Sequence, residues 1–305
     1  MSTALEKFRA APAQDYSSGG ISLRYRTFGA GPAVLLLHGW PLNGATYRYL
    51  VEALAPYYRC YVPDLPGSGD TPWSERISET MTGYTQLLRG FVEYLQLDSV
   101  AILGHDSGGG VARLLAAELG PRVRCLILQN TEVPDYVSPI VRAIKLACQA
   151  PLGAATLGRL LGSPRFRRTP LAFGGCFGDL SLIDGEFLEA CVNPVRANPR
   201  DTSAILSHLD LGWIERLPEA HAKIEAPIHL FWGGKDPFFP LAKARAMAQT
   251  FRQRGELEVI PDAKLLVHEE APEALNRFCL PLLERAFSDT KPETDGPNAR
   301  VNPLP

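Results

Sequence analysis

Short, uninterrupted apolar runs alternate with stretches of helical period through much of this chain. Residues 33–37 read Ala-Val-Leu-Leu-Leu, the pattern of a strand buried on both faces. Runs at 21–27, 59–62, 100–103 and 123–128 predict further strands, and 228–232 and 257–260 predict two late ones. Helical periods fall between them, over 45–53, 81–95, 108–119, 242–250 and 273–286. This alternation predicts the α/β class, with a mostly parallel sheet flanked by helices.

Between about 133 and 219 the strand-like runs vanish. The segment is rich in Leu, Ala, Arg and Gly, and its short helical patterns are broken by Pro151, Pro164, Pro170 and Pro194. A structureless loop of that length does not suit a compact domain, so 133–219 is expected to form a helical cap. The core then comes in two parts, 1–132 and 220–287. Residues 288–305 are polar, carry four prolines and are expected to be a flexible tail.

Composition narrows the function. The chain has 305 residues, 46% apolar, with 31 basic against 33 acidic side chains and a net charge of −2. That balance argues against a nucleic-acid partner. No run reaches the ~20 apolar residues of a spanning helix, and Met1 to Ser18 lacks the apolar core of a signal peptide. The expectation is a cytoplasmic protein with no membrane partner, monomeric or homodimeric. Cys60, Cys125, Cys148, Cys176, Cys191 and Cys279 are scattered without zinc spacing, which predicts buried thiols and no metal site.

The most informative stretch is Val100-Ala-Ile-Leu-Gly104-His105-Asp106-Ser107-Gly108-Gly-Gly110. An apolar strand enters Gly-x-Asp-x-Gly and leaves as a helix, the context of a nucleophile elbow. Glycines two before and two after the turn residue leave room for a strained bend. Gly104 and Gly108 frame Asp106. For Ser107 to be the turn residue, bulky His105 would have to stand where a glycine is needed. A helix-capping Asp106 is the plainer alternative.

On these residues the chain resembles the α/β-hydrolase superfamily over about 20–287. Within it, the chain is similar to the aspartate-nucleophile branch of haloalkane dehalogenases, fluoroacetate dehalogenases and epoxide hydrolases. The resemblance implies a role for several further motifs. Leu37-His38-Gly39-Trp40-Pro41 implies oxyanion-hole N–H groups from Trp40 and Ser107, with His38 structural. Phe231-Trp-Gly-Gly-Lys-Asp236-Pro implies Asp236 as the acid of the triad. Val267-His268-Glu-Glu-Ala-Pro implies His268 as general base. Asp64-Leu-Pro-Gly-Ser-Gly-Asp70 fits no phosphate-binding spacing and implies a structural loop.

An aspartate nucleophile that attacks a saturated carbon makes an ester whose carbonyl belongs to the enzyme. Water activated by His268 would then attack Asp106, and Asp236 would steady the imidazole. No cofactor or metal is implied, and the partners are a small apolar organic substrate and water.

The chain departs from each named activity. Ser107 stands where haloalkane dehalogenases carry a halide-binding Trp. Ser107 and Gly110 stand where fluoroacetate dehalogenases carry Arg. The cap has one tyrosine, Tyr136, where epoxide hydrolases use two. Trp40 and Trp213 remain as indole donors for a halide, which favours haloalkane-dehalogenase-like cleavage. An epoxide hydrolase giving a diol, with His208 as a substitute acid, is the first alternative. A carboxylic ester or lactone hydrolase and a non-catalytic ligand receptor are the others. Phe173, Phe177, Leu180, Ile183 and Phe187 are candidate pocket residues, and the basic run 163–168 reads as a solvated cap face, with contact to an acidic substrate as the alternative.

Overall fold

A computed structural model describes residues 2–150 and 152–288. Apart from Ser288, the expected tail 288–305 lies outside them. Eight strands form one sheet: β1 Gln14–Ser18, β2 Ile21–Phe28, β3 Ala33–Leu37, β4 Arg59–Asp64, β5 Val100–His105, β6 Val123–Gln129, β7 Ile228–Gly233 and β8 Arg254–Ile260. Their order is β1-β2-β4-β3-β5-β6-β7-β8. The β1–β2 and β2–β4 pairs are antiparallel, and every other pair is parallel.

Burial explains which strands were legible. Every residue of β3, β5 and β7 is buried, as central parallel strands require. β1 was not expected. Its sequence, Gln-Asp-Tyr-Ser-Ser, buries only Tyr16, because an edge strand needs only its partner's hydrogen bonds.

The helices are α1 Ala4–Ala10, α2 Arg48–Leu54, α3 Thr80–Tyr94, α4 Ser107–Leu119, α5 Pro139–Gln149, α6 Gly153–Leu160, α7 Pro164–Arg167, α8 Asn193–Ala197, α9 Pro199–Ser207, α10 Leu217–Lys223, α11 Leu241–Ala248, α12 Val267–Glu270 and α13 Pro272–Ala286. Between β6 and β7 the described residues form helices and turns, with no strand. α5, α6, α8 and α9 pack on one another as a layer beyond the carboxyl ends of the central strands. α10 packs on α4 of the core, so the expected boundary at 219 falls inside a core-facing helix.

Candidate active site

Asp106 joins β5 to α4 with φ 50° and ψ −132°, a conformation costing an L-residue about 1–3 kcal/mol. Its N–H donates to the Asn130 carbonyl at 3.0 Å, and its own carbonyl accepts from Gly109 N–H at 2.8 Å. The bend also needs its glycines. A Cβ at Gly104 would meet the Gly108 carbonyl oxygen at 2.6 Å, and one at Gly108 would meet the carbonyl oxygens of Leu37 and His38 at 2.3 Å. The positive φ at 106 makes Asp106, and not Ser107, the turn residue.

Trp40 N–H lies 2.9 Å from Asp106 Oδ2 and 3.1 Å from Ser107 Oγ. Ser107 N–H also donates to the Asp106 carboxyl. Both backbone donors inferred from the sequence therefore address that group. Burial, then the nearby Glu132 and Asp236 charges, push the Asp106 carboxyl well above its ordinary range. His38 serves its loop, accepting Leu65 N–H at Nε2 over 2.9 Å.

Asp236 follows β7. Its Oδ1 accepts Phe238 N–H at 2.7 Å, and its Oδ2 accepts from Asn130 Nδ2 at 2.6 Å. Asn130 Oδ1 in turn accepts Gly233 N–H at 2.8 Å. The amide thus pins the acid to the ends of β6 and β7. Burial pushes Asp236 up to about 7.

His268 requires a correction: the structure does not bring its imidazole to Asp106. It lies on α12, with Nε2 2.7 Å from Thr46 Oγ1. Its ring packs on His105, centroids 4.3 Å apart, and on Tyr47. Burial holds it neutral, well below its ordinary pKa. The cavity at Asp106 is lined instead by Leu265, three residues earlier. The reason is helical geometry: α12 turns residue 268 toward the Gly44–Tyr47 turn and away from the cavity.

That cavity measures about 110 Å³ and is mostly apolar, with Val141, Ile144, Leu157, Leu171, Phe173 and Phe238 on its walls. Its polar lining includes Asp106, Ser107, Glu132, Tyr136 and Ser138. Ser138 Oγ is buried without a partner among the described residues. Glu132 was not singled out in the sequence. Its only signal there is a lone acid just past an apolar strand. Burial raises its pKa, against the opposing charge of Arg113. Glu132 Oε2 lies 2.8 Å from Thr131 Oγ1, which also contacts the Asp106 carbonyl at 2.8 Å and accepts from Arg113 Nη2 at 2.9 Å.

Several expected contacts fall elsewhere. Trp40 does line the cavity, but its Nε1 donates to the Thr202 carbonyl at 2.7 Å. Trp213 packs against Gly110 and Arg113 beneath α4 and is not among the lining residues. His208 Nδ1 bonds the Ala204 carbonyl, and its ring stacks on Trp73. Phe177 packs on Phe187 inside the cap. Of the proposed aromatic and aliphatic pocket residues, only Phe173 lines the cavity. Among the described residues no group of three or more His, Cys, Asp or Glu is placed to hold a metal. None of the described helices is long and apolar enough to cross a membrane.

Comparison with known proteins adds to this geometry. A family profile described as "Alpha/beta hydrolase family" matches residues 34–278. Haloalkane dehalogenase 2 of Mycobacterium tuberculosis is 26% identical, covering 89% of this chain and 93% of its own. A soluble epoxide hydrolase of Corynebacterium sp. is 37% identical over 98 residues, 30% of this chain and 32% of its own. The solved structure of epoxide hydrolase CorEH superposes with a TM-score of 0.76 at 21% identity, covering 92% of this chain and 99% of that one.

Proposed function

The chain belongs to the alpha/beta hydrolase family, and we propose that it opens an epoxide on a small apolar compound through an ester at Asp106, with Glu132 carrying the proton. One observation carries this reading. The Asp106 carboxyl, cradled by two N–H groups, shares an apolar cavity with oxygen donors, while both indole N–H groups lie elsewhere. Halide departure would call on N–H donors. An opening epoxide oxygen needs a proton, which Glu132, Tyr136 or Ser138 can supply.

Burial favours a protonated Glu132, and so do the contacts of Thr131, against Arg113 Nη2, which lies 3.8 Å from Glu132 Oε2 and favours the ionised acid. Thr131 has one hydroxyl proton and two oxygen neighbours at 2.8 Å, the Asp106 carbonyl and Glu132 Oε2. If Glu132 carries a proton, it donates to Thr131, Thr131 donates to Asp106, and all contacts are satisfied. If Glu132 is ionised, one contact is lost. Burial and the neighbouring Glu132 charge raise the Asp106 carboxyl, so ionising both acids at once is disfavoured, and the reaction uses the state with Asp106 ionised and the proton on Glu132.

The steps balance. An Asp106 oxygen attacks a ring carbon, the carbon–oxygen bond breaks, and the departing oxygen takes the Glu132 proton. Ionised Glu132 then removes a proton from water as that oxygen attacks Asp106 Cγ. The N–H groups of Trp40 and Ser107 hold the resulting oxyanion. Collapse expels the diol oxygen, which takes the proton left on the Asp106 carboxyl. Asp106 is again ionised and Glu132 protonated.

A second reading is carbon–halogen cleavage by the same ester. The similarity to Haloalkane dehalogenase 2 across nearly the whole of both chains favours it. Ester hydrolysis by Ser107 has less support, because its Oγ accepts from Trp40 N–H and meets no base among the described residues.

Diol and halide release should be measured side by side on a panel of apolar epoxides and haloalkanes. A single turnover in heavy-oxygen water is expected to label Asp106, and Asp106→Ala should abolish diol formation. Halide without diol would transfer the reading to dehalogenation. Full activity in Asp106→Ala would end both. Ligand-raised melting without any turnover would favour a receptor.

A further inference from the structure

The cap segment exposes an unusual combination of groups. Of the seven large hydrophobic side chains exposed among the described residues, five lie between 146 and 180: Leu146, Leu152, Leu160, Leu171 and Leu180. Leu146, Leu152 and Leu171 are 70%, 81% and 78% exposed. α5 buries only Cys148. Leu152 also holds a left-handed φ of 60°, a conformation a leucine adopts at a cost, and at that exposure packing within the chain does little to offset it.

Along the chain the charge beside Leu146, Leu152, Leu160 and Leu171 is basic, whereas Leu180 follows Asp179. Between 136 and 178 the chain has six basic residues and no acidic one, although its net charge is −2. Arg142, Arg159 and Arg165 are exposed and have no carboxylate partner in the ion pairs of the described residues. Arg167 and Arg168 share Asp184, and Lys145 Nζ is held by the carbonyls of Leu206 and Ser207.

We propose that this segment seats the protein on an anionic lipid surface, with the leucines dipping among the acyl chains and the arginines on the headgroups. Charge complementarity selects this occupant. A second copy would bring the same cations against these, whereas an anionic bilayer attracts basic groups beside apolar ones. Leu171 supplies continuity with the cavity, for it is both exposed and part of the wall shared with Asp106. An apolar ligand dissolved in lipid could pass along it without crossing bulk water. The sequence-based expectation of no membrane partner addressed only spanning segments; this contact lies on the surface.

The test is flotation of the intact protein with vesicles of phosphatidylcholine alone or mixed with phosphatidylglycerol. Binding to the mixed vesicles is expected, weaker with neutral ones and lost in high salt. Each arginine near the surface is worth about fivefold in partitioning, so Arg142→Glu/Arg159→Glu/Arg165→Glu should lose more than about tenfold. Leu152→Ser/Leu171→Ser should weaken binding at low salt without lowering the melting temperature. Asp106→Ala should bind as the parent does, which separates this proposal from the one about chemistry. Should the triple variant fail to fold, the salt titration of the parent and of Arg165→Glu alone carries the test. No binding to the mixed vesicles, or binding indifferent to salt and to Arg165→Glu, would overturn the proposal. So would a dimer abolished by Leu152→Ser/Leu171→Ser in a protein that leaves vesicles alone.

Discussion

Thr46 Oγ1 sits 2.7 Å from His268 Nε2 and donates to Glu269 Oε1 at 2.8 Å. The carboxylate takes the single hydroxyl proton, so the hydroxyl oxygen accepts from His268 Nε2–H. This sets the tautomer and leaves a bare, buried Nδ1. His105 is held the same way, its Nε2 donating to the Leu265 carbonyl at 3.0 Å. Both rings are neutral interior groups facing each other.

That arrangement separates His268 from Glu132 experimentally. His268→Gln should leave turnover within about threefold while losing roughly 1–3 kcal/mol of stability through the broken buried hydrogen bond. Glu132→Gln should slow turnover by about 100-fold or more, and the Asp106 ester that forms with Tyr136 as the remaining acid should persist and be visible by intact mass. A His268→Gln protein that folds but cannot turn over would reverse the assignment.

Leu265 marks the wall where an imidazole would be useful. Leu265→His in the Glu132→Gln background should speed loss of the ester by about tenfold or more, since a positioned base contributes on the order of 100-fold or more. Time-resolved mass spectrometry reads the decay directly. An unchanged decay would mean that this wall does not reach the ester carbonyl.

Asp236 makes stability depend on pH. Its folded pKa is about 7, against roughly 3.9 in an unfolded chain. Between those values the folded state holds a proton that the unfolded state has lost. Stability should therefore fall as pH rises from about 4 to about 7, by up to about 1.4 kcal/mol per unit. Burial also raises Asp64, to about 6, which acts in the same direction. Urea unfolding near each end of that window should show a smaller difference for Asp236→Asn; an equal difference would count against the raised pKa.

Arg48 ties the core to the cap. Its guanidinium reaches Glu269 at 2.9 Å and Glu186 of the cap at 2.8 Å, and the Arg48 and Glu269 side chains are both 2% exposed. Arg48→Met strands the Glu269 carboxylate and should cost about 3–5 kcal/mol. Arg48→Met/Glu269→Leu should recover part of that loss in denaturant unfolding. Equal losses in both variants would place the stabilisation outside the pair.

The elbow was legible because its causes are local. A strained φ at Asp106 demands small neighbours at 104 and 108, and these appear in the string of letters. The central strands were legible because burial on both faces leaves unbroken apolar runs. Edge strand β1 was not, since its pairing asks little of its side chains. Asn130 and Glu132 passed unmarked for another reason. One amide and one acid after a strand have no periodic signature, and their meaning comes from partners brought from elsewhere: Asp236 for Asn130, and the Asp106 carbonyl and Arg113, through Thr131, for Glu132.

From the sequence alone came the α/β alternation, the inserted helical segment and the presentation of Asp106 at a sharp bend, each dictated by steric and burial rules acting within a few residues. Only the tertiary structure decided which side chains join Asp106. His268 matches the expected slot but turns toward Thr46, Leu265 takes the cavity wall, Trp213 packs away from it, and the indole N–H of Trp40 is bound to the Thr202 carbonyl. The direction of a side chain depends on the packing of elements far apart in the chain, and a difference of three residues along a helix-entering loop is enough to exchange an imidazole for a leucine.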